Sequence, residues 1–492
     1  MKLSISPEEA RRYAAETDFR VLPVACELLA DDLTPIQVLR MLRNVSAHTY
    51  LLESILGPDS HGRYTFLGYE PKLGISCRNG HMKIGDLELE TADPAAYLRQ
   101  LLAKYRSPKL AGLPPFTGGL VGYFSYDYLC YQEPTARTAK EDDAHFNDLD
   151  LMLFDKVIAF DHFRQKIILI ANIRLDEPDT EYNRAALALR QMRDLLRHGT
   201  PCKEPVSRMT GEMTPLFDKD AYCDMVQRAK HYITEGDIFQ IVLSNRLSAP
   251  FEGSLLNTYR MLRTINPSPY MFYFSGTDVE VAGASPETLV KLENGVLRTF
   301  PLAGTRPRGR NDAEDLALEQ DLLKDEKELA EHNMLVDLGR NDLGRISRFG
   351  TVEVERLRTV ERYSHVMHIG SAVKGEIRED CDALDAVGAV LPAGTLSGAP
   401  KIRACQLIGQ LEGSKRGIYG GAVGYLSFQG DLDTCIAIRL AYRKGNTVYV
   451  RSGAGIVADS VPENEYQECL NKAAAVIRAL KDAEVLNNDS AD

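Results

Sequence analysis

Carboxylates and guanidinium groups crowd one stretch of the chain, from Phe300 to Asn341, which opens FPLAGTRPRGR and continues through KDEKELAEHNMLVDLGRN. Thr305, Arg306, Arg308 and Arg310 bring hydroxyl and guanidinium donors to one short segment, the groups that hold carboxylates or phosphates. Gly304 and Gly309 permit close backbone approach, and Pro301 and Pro307 interrupt a ladder, so the segment reads as a turn leaving a strand over Val296 to Phe300. A helical apolar period then runs from Ala313 to Leu338, with Leu318, Leu322, Leu329 and Leu335/Val336 on one stripe. Glu328 and Glu331 share a face of that helix. Glu465, Glu468 and Lys472 form a similar polar face on a second helix near the C-terminus. Two helices each presenting a Glu-x-x-Glu face could enclose one hard cation with carboxylates and water, and magnesium suits such a site because it keeps several waters. The same spacing also occurs on acidic helix faces turned to solvent, so the pair alone does not decide.

The elements that must position these groups follow from periodicity and punctuation. Ser6-Pro7-Glu8-Glu9 has capping-box spacing, and Thr34-Pro35 opens a second helix. Thr49 to Leu56 and Arg63 to Gly68 read as paired strands. Val157 to Ile173 holds two alternating runs, and Asp179 to Arg197 is an amphipathic helix. Phe116–Tyr126 (FTGGLVGYFSY) and Tyr419–Phe428 (YGGAVGYLSF) share a GG-x-VGY-x-S pattern, which suggests two related strands facing each other. Periodicity lapses from His198 to Pro215, dividing an N-terminal region (1–205) from a linker (206–217), a catalytic region (218–484) and a frayed tail (485–492). Beyond the linker come a helix over Asp218 to Glu235 and a strand over Ile238 to Leu247. Further strands are expected over Val279–Leu289, Gly421–Leu426, Thr434–Tyr442 and Thr447–Gly453. Ser460-Val461-Pro462-Glu463 starts the last helix, with Tyr466, Leu470, Ala473 and Ile477 as its buried stripe. Neighbouring strands joined by short turns imply antiparallel pairing, so the fold class is α+β.

Composition excludes several functions. The 492 residues carry a net charge of -12, without the basic footprint of a nucleic-acid partner. An anionic substrate must therefore be held by local cations. Nine scattered cysteines with no CxxC pair fit reduced thiols in a cytoplasmic protein. No run approaches the ~18 apolar residues of a membrane span. The chain contains no Trp.

A family resemblance enters through ordered motifs: Pro301 to Gly309, Glu331-His332, Leu335 to Leu338, Arg340 to Leu343, Gly394 to Lys401, Tyr419 to Tyr425, Asp431 to Cys435 and Ser452 to Val457. In these the chain resembles the chorismate-utilising enzymes, and among them the large subunits of anthranilate synthase, most densely from about Phe217 to Leu480. The resemblance implies two large antiparallel sheets packed as a sandwich with helices outside. It implies chorismate and ammonia as substrates and Mg2+ as cofactor, with Glu331 and Glu468 binding the metal directly and Glu328 and Glu465 acting through water. The catalytic candidates are Glu287 (acid for the leaving C4 hydroxyl), His368 (pyruvate elimination), Gln240, Thr305 and Lys472. Arg439 lies near the end of a predicted strand and suits a carboxylate fork. With Tyr419 and the Gly453-Ala454-Gly455 backbone it would hold the enolpyruvyl arm, and Gly304-Thr305 the ring side.

Two positions separate members of the family. Relatives that add water carry a lysine where this chain has Gln240, and relatives that make aminodeoxychorismate carry a nucleophilic lysine where it has Ala303. Anthranilate formation is therefore favoured; the alternatives are aminodeoxychorismate synthase component I or a catalytically silent tryptophan-sensing subunit. No Gly-x-Cys-x-Gly elbow is present, so a separate glutamine amidotransferase subunit, in a heterotetramer, is expected to supply ammonia. Glu53-Ser54 and Pro269-Tyr270-Met271 resemble the family's segments for L-tryptophan, an inhibitor.

Overall fold

A computed structural model of the chain describes residues 2–57, 60–137, 141–203, 206–362 and 366–487. The expected tail falls mostly on 488–492, outside the described residues. Local signals nucleate the elements. Ser6 and Glu9 close the capping box of the helix Pro7–Glu16, and Thr34 caps Pro35–Val45. Two large antiparallel sheets, of 13 and 12 strands, form the body.

Aromatic and aliphatic side chains from both sheets (Tyr50, Phe272 and Tyr442 from one; Tyr123, Val423 and Tyr425 from the other) pack between them as a dry interior. The outer face of the first sheet is covered by helices bearing Val38, Leu42, Leu189, Tyr259 and Val476. The outer face of the second is covered by helices bearing Leu98, Val336, Leu343 and Leu384. This is the expected α+β sandwich with helices outside. Among the described residues, no helix is long and apolar enough to cross a membrane.

Each sheet takes strands from both sides of the 206–217 stretch. That stretch itself pairs with the strand Gln240–Glu252 through Arg208–Met209 and Thr214–Pro215. The GG-x-VGY-x-S segments become Gly119–Phe124 and Ala422–Ser427, side by side with Gly122 opposite Gly424. A Cβ on Gly122 would stand 2.0 Å from the Asp150 carbonyl oxygen, and one on Gly424 2.0 Å from that of Asp433. The glycine rib is what lets these strands approach.

Four expectations are corrected. The turn after Phe300 is a strand, Leu302–Pro307, paired to Val366–Glu376 with a register shift between Ala303 and Arg306. Its place at the sheet edge is why Pro307 is tolerated. The helix expected over Ala313 to Leu338 is two, Asp312–Leu322 and Glu326–Gly344, because Asp325 caps the second by accepting from the Lys327 and Glu328 amides. The last helix starts at Pro462; the Ser460 hydroxyl accepts from Val457 instead of capping it. Of its expected stripe, Ala473 is buried among Cys469, Val476 and Leu480, while Tyr466, Leu470 and Ile477 are partly buried.

The fourth correction matters most for the site. Val279–Leu289 and Thr434–Tyr442 are not single strands. The first becomes Val279–Ser285 in one sheet and Thr288–Glu293 in the other; the second becomes Leu432–Ile436 and Leu440–Lys444, likewise divided. The chain crosses between sheets at Pro286-Glu287 and again at Ala437–Arg439. The crossings are tied together: the Ile436 amide donates to the Glu287 carbonyl at 3.0 Å, and the Ala284 amide to that of Arg439 at 3.1 Å.

Candidate active site

The two crossings deliver an acid and a cation to one polar cavity of about 720 Å³. Arg439 adopts φ +52°, strained for a residue with a side chain, and its Nη1 donates to Asn266 Oδ1 at 3.4 Å. Glu287 receives the Thr395 hydroxyl at 3.3 and 3.4 Å to its two oxygens. Burial pushes its carboxyl up to about 8, against the pull of Thr395 and Arg439, so at neutral pH it holds a proton.

The edge strand Leu302–Pro307 forms a second wall, where Ala303, Gly304 and Thr305 face the cavity. Gly304 has φ +66°, and a Cβ there would lie 3.1 Å from Glu328 Oε2, so only glycine brings this backbone against the carboxylate. His368 sits on the neighbouring strand, its Nδ1 2.8 Å from the Gly304 carbonyl oxygen and 3.1 Å from Thr305 Oγ1. A carbonyl can only accept, so Nδ1 carries the proton. Burial lowers the imidazole's pKa. His368 thus meets the site through the Gly304 carbonyl and the Thr305 hydroxyl rather than as part of the cavity wall.

The floor is the strand Thr447–Ile456. Gly453 and Gly455 face the cavity, and a Cβ on them would stand 3.0 Å from Tyr419 Oη and from Gln240 Nε2 respectively. Ala454, between them, packs on the opposite face with Ile241 and Leu243. The two-residue side-chain period of a strand takes it out of the cavity.

Four carboxylates complete the lining: Glu328 and Glu331 from Glu326–Gly344, and Glu465 and Glu468 from Pro462–Asp482. Burial, then the charge of Glu331, push up the Glu328 carboxyl. Burial pushes up that of Glu465, with Glu468 adding to it against the Ser460 hydrogen bond. Lys472 bonds Glu468 at 2.7 Å. Among the described residues, no three or more His, Cys, Asp or Glu side chains converge as a ready-made metal cage. Mutually repelling carboxylates in one cavity nonetheless fit a divalent cation completed by water and substrate oxygens.

Arg306, Arg308 and Arg310, expected to hold an anionic ligand, are engaged by carboxylates of the chain itself, and Arg306 also reaches Glu328 of the cavity at 3.7 Å. Arg306 binds Asp321 and Asp325, Arg308 binds Asp315, and Arg310 binds Glu314, locking the helix Asp312–Leu322 to the edge strand. The sequence also left two contributions unassigned. Thr395 lay in the quoted GTLSGAPK motif, but nothing in the sequence pointed from it to Glu287. At the edge of the cavity, fully buried Glu412 takes Arg416 at 2.5 Å and Arg451, a lining residue, at 2.8 Å, and Arg416 Nη1 donates to the Leu396 carbonyl at 2.7 Å, next to Thr395. No local signal marks that network, because its members come from separate elements.

A second cavity, of about 570 Å³, is mainly apolar. Leu52, Glu53 and Ser54 line it together with Pro269, Tyr270 and Met271, brought together by pairing of Thr49–Glu53 with Tyr270–Ser275, Glu53 opposite Met271. The Glu53 carboxylate is already held by Arg263 at 2.6 and 3.1 Å and by the Tyr259 hydroxyl. It braces the wall and is not a spare acceptor for a ligand's charged end. The Tyr270 hydroxyl donates to Asp433 at 2.8 Å.

Known proteins resemble the chain over nearly its whole length. The family model for chorismate binding enzymes matches residues 52–478. The chain is 45% identical to anthranilate synthase component 1 of Acetivibrio thermocellus (95% of this chain, 96% of the relative). It is 44% identical to the same component of Aquifex aeolicus (98% and 99%). The crystal structure of anthranilate synthase component I from Streptococcus pneumoniae superimposes with TM-score 0.76 at 37% identity, covering 91% of this chain and 98% of that one. The menaquinone-specific isochorismate synthase of Escherichia coli shares the fold, with TM-score 0.69 at 21% identity over 96% and 99% of the two chains.

Proposed function

Because the chain belongs to the family of chorismate binding enzymes, we propose that its polar cavity converts chorismate and ammonia to anthranilate and pyruvate, as component I of an anthranilate synthase and a lyase of tryptophan biosynthesis. The observation that carries this reading is that a buried acid, Glu287, and Arg439 stand at tied crossings on one cavity, where Gln240 and Ala303 occupy the positions at which, by the resemblance, other members of the family carry lysines.

Arg439, Tyr419 and the backbone at Gly453 and Gly455 hold the enolpyruvyl carboxylate. Gly304 and Thr305 face the ring, kept in place by His368. Glu331 and Glu468 would hold Mg2+, with Glu328 and Glu465 reaching it through water; when bound, the ion supplies positive charge for the ring carboxylate. Ammonia adds at C2 while the C4 hydroxyl departs, and Glu287 gives that hydroxyl its proton so that it leaves as water. Glu287 needs its raised pKa for this, since an ordinary carboxylate would already be ionised. Loss of pyruvate then aromatises the ring, the step the resemblance assigns to His368. Lys472, bonded to Glu468, keeps that carboxylate oriented.

Ammonia reaches the enzyme from a glutamine amidotransferase subunit, in keeping with relatives named as one component of a synthase. The cytoplasm is the compartment in which nine unbridged cysteines stay reduced. The apolar cavity takes L-tryptophan as feedback inhibitor. Adding chorismate, Mg2+ and ammonium to the isolated chain should produce fluorescent anthranilate, whereas glutamine in place of ammonium should produce none. Aminodeoxychorismate, isochorismate or no product from the ammonium reaction would overturn the assignment.

A further inference from the structure

The two cavities share a wall, and the helix carrying Glu328 and Glu331 is fastened to it from the apolar side. Leu302 lines both cavities. Directly after Glu331, His332 is fully buried, and its Nε2 is hydrogen-bonded to Ser371 Oγ at 2.6 Å. Ser371 lines the apolar cavity, and its hydroxyl oxygen also accepts the Arg358 amide at 3.0 Å. Arg358 has φ +55° in an irregular stretch between Arg356 and Thr359, and its guanidinium donates to Asn333 Oδ1 at 3.1 and 2.9 Å. Arg356, in the same stretch, lines the apolar cavity. Two consecutive helix residues, His332 and Asn333, therefore grip the wall of one cavity while the residue before them, Glu331, faces the other.

The imidazole has little else to hold it. Its Nδ1 has no hydrogen-bond partner among the described residues. A buried ring nitrogen without a partner is costly, so displacing Ser371 leaves His332 with no polar anchor and favours a second position for the helix. The strand Val366–Glu376 adds leverage: the Ser371 amide donates to the Pro301 carbonyl at 3.1 Å, just before the segment that carries Gly304 and Thr305.

We propose that His332 and Ser371 are positioning residues that couple the two cavities: a ligand filling the apolar cavity displaces Ser371 and, through His332 and Asn333, shifts Glu328 and Glu331 relative to Glu465 and Glu468. The inference rests on reading the apolar cavity as a tryptophan site and supplies the route by which that site acts. Coupling of this kind is reciprocal, so chorismate in the polar cavity must weaken tryptophan binding by the same factor that tryptophan weakens chorismate binding.

The chain contains no Trp, so the indole fluorescence of added tryptophan reports binding directly. The full-length protein is titrated with tryptophan, with and without saturating chorismate and with no ammonium present, so that nothing turns over. In the wild type, chorismate should raise the tryptophan Kd by a factor within roughly 5–150. In Ser371→Ala and His332→Leu that factor should fall below about 2, while His332→Gln, whose amide nitrogen reaches toward the place of Nε2, should keep most of it. The ratio cancels any change that trimming Ser371 makes to tryptophan affinity alone, which a merely structural loss would alter in both titrations equally. A Ser371→Ala ratio equal to wild type overturns the coupling route and leaves the effector site standing. A wild-type chain that binds no tryptophan overturns both.

Discussion

The polar cavity takes every lining residue from Gln240 onward, whereas the apolar cavity joins Leu52–Ser54 and Gly62–Tyr64 to segments that include Pro269–Phe272 and Val423–Tyr425. Their charges differ in the same way. Around the apolar cavity the charged groups are paired within the chain, Glu53 with Arg263 and Arg356 with Glu361. Around the polar cavity four carboxylates gather in two like-charged pairs, offset only in part by Lys472 on Glu468 and Arg306 beside Glu328, and burial pushes the Glu287 carboxyl up. A cavity with an excess of carboxylates leaves charge for an incoming cation to complete, whereas one whose charged groups are already paired selects by shape.

Emptying the polar cavity of its chemistry should have the largest effect. Glu287→Gln should lower the rate by about 10²–10⁴-fold, the share a general acid contributes, measured as anthranilate fluorescence with ammonium. The pH profile sharpens the point. Since the wild-type acid is protonated below about 8, the rate per free ammonia should fall as pH rises through that value, and the residual rate of Glu287→Gln should lack that limb. The sign for stability is opposite to that of a paired carboxylate. The folded state keeps a proton that the unfolded chain releases near 4.5, so wild type should lose stability relative to Glu287→Gln between pH 4.5 and about 8.

Next in size is the cation. Glu331→Gln or Glu468→Gln should cost roughly 100-fold in activity at ordinary Mg2+ while thermal unfolding shows the fold intact. Near-normal turnover in either variant would break the carboxylate assignment. The smallest expected effect belongs to the apolar cavity. Ser54→Phe should raise the tryptophan concentration for half-inhibition by about tenfold, a coupling change of ~1.4 kcal/mol. Inhibition unchanged by that bulk would detach Ser54 from the effector site.

How much of each cavity was legible in the sequence follows from this difference. Glu-x-x-Glu faces, the PLAGT segment and the GAG strand are local patterns, and the structure gathers them. The Arg306–Arg310 cluster misled because free and paired guanidinium groups look alike until Asp315, Asp321 and Asp325 are folded against them. Ala454 turns its side chain away from the cavity: a motif is written as a run, while a strand shows only alternate residues to one side. Thr395 was visible as a motif residue without a partner, since Glu287 is more than a hundred positions away.

The sequence by itself determined the family, the α+β class, most element positions and most of the polar groups that line the larger cavity, because periodicity, caps and motifs act over a few residues. Only the tertiary structure decided that Glu287 and Arg439 would stand at paired crossings between two sheets, where apparent single strands break. It alone decided that Glu53 would be used up by Arg263, and that His332 would hang from Ser371. Burial sets a pKa and spends a hydrogen bond, and burial is a property of partners brought together across hundreds of residues.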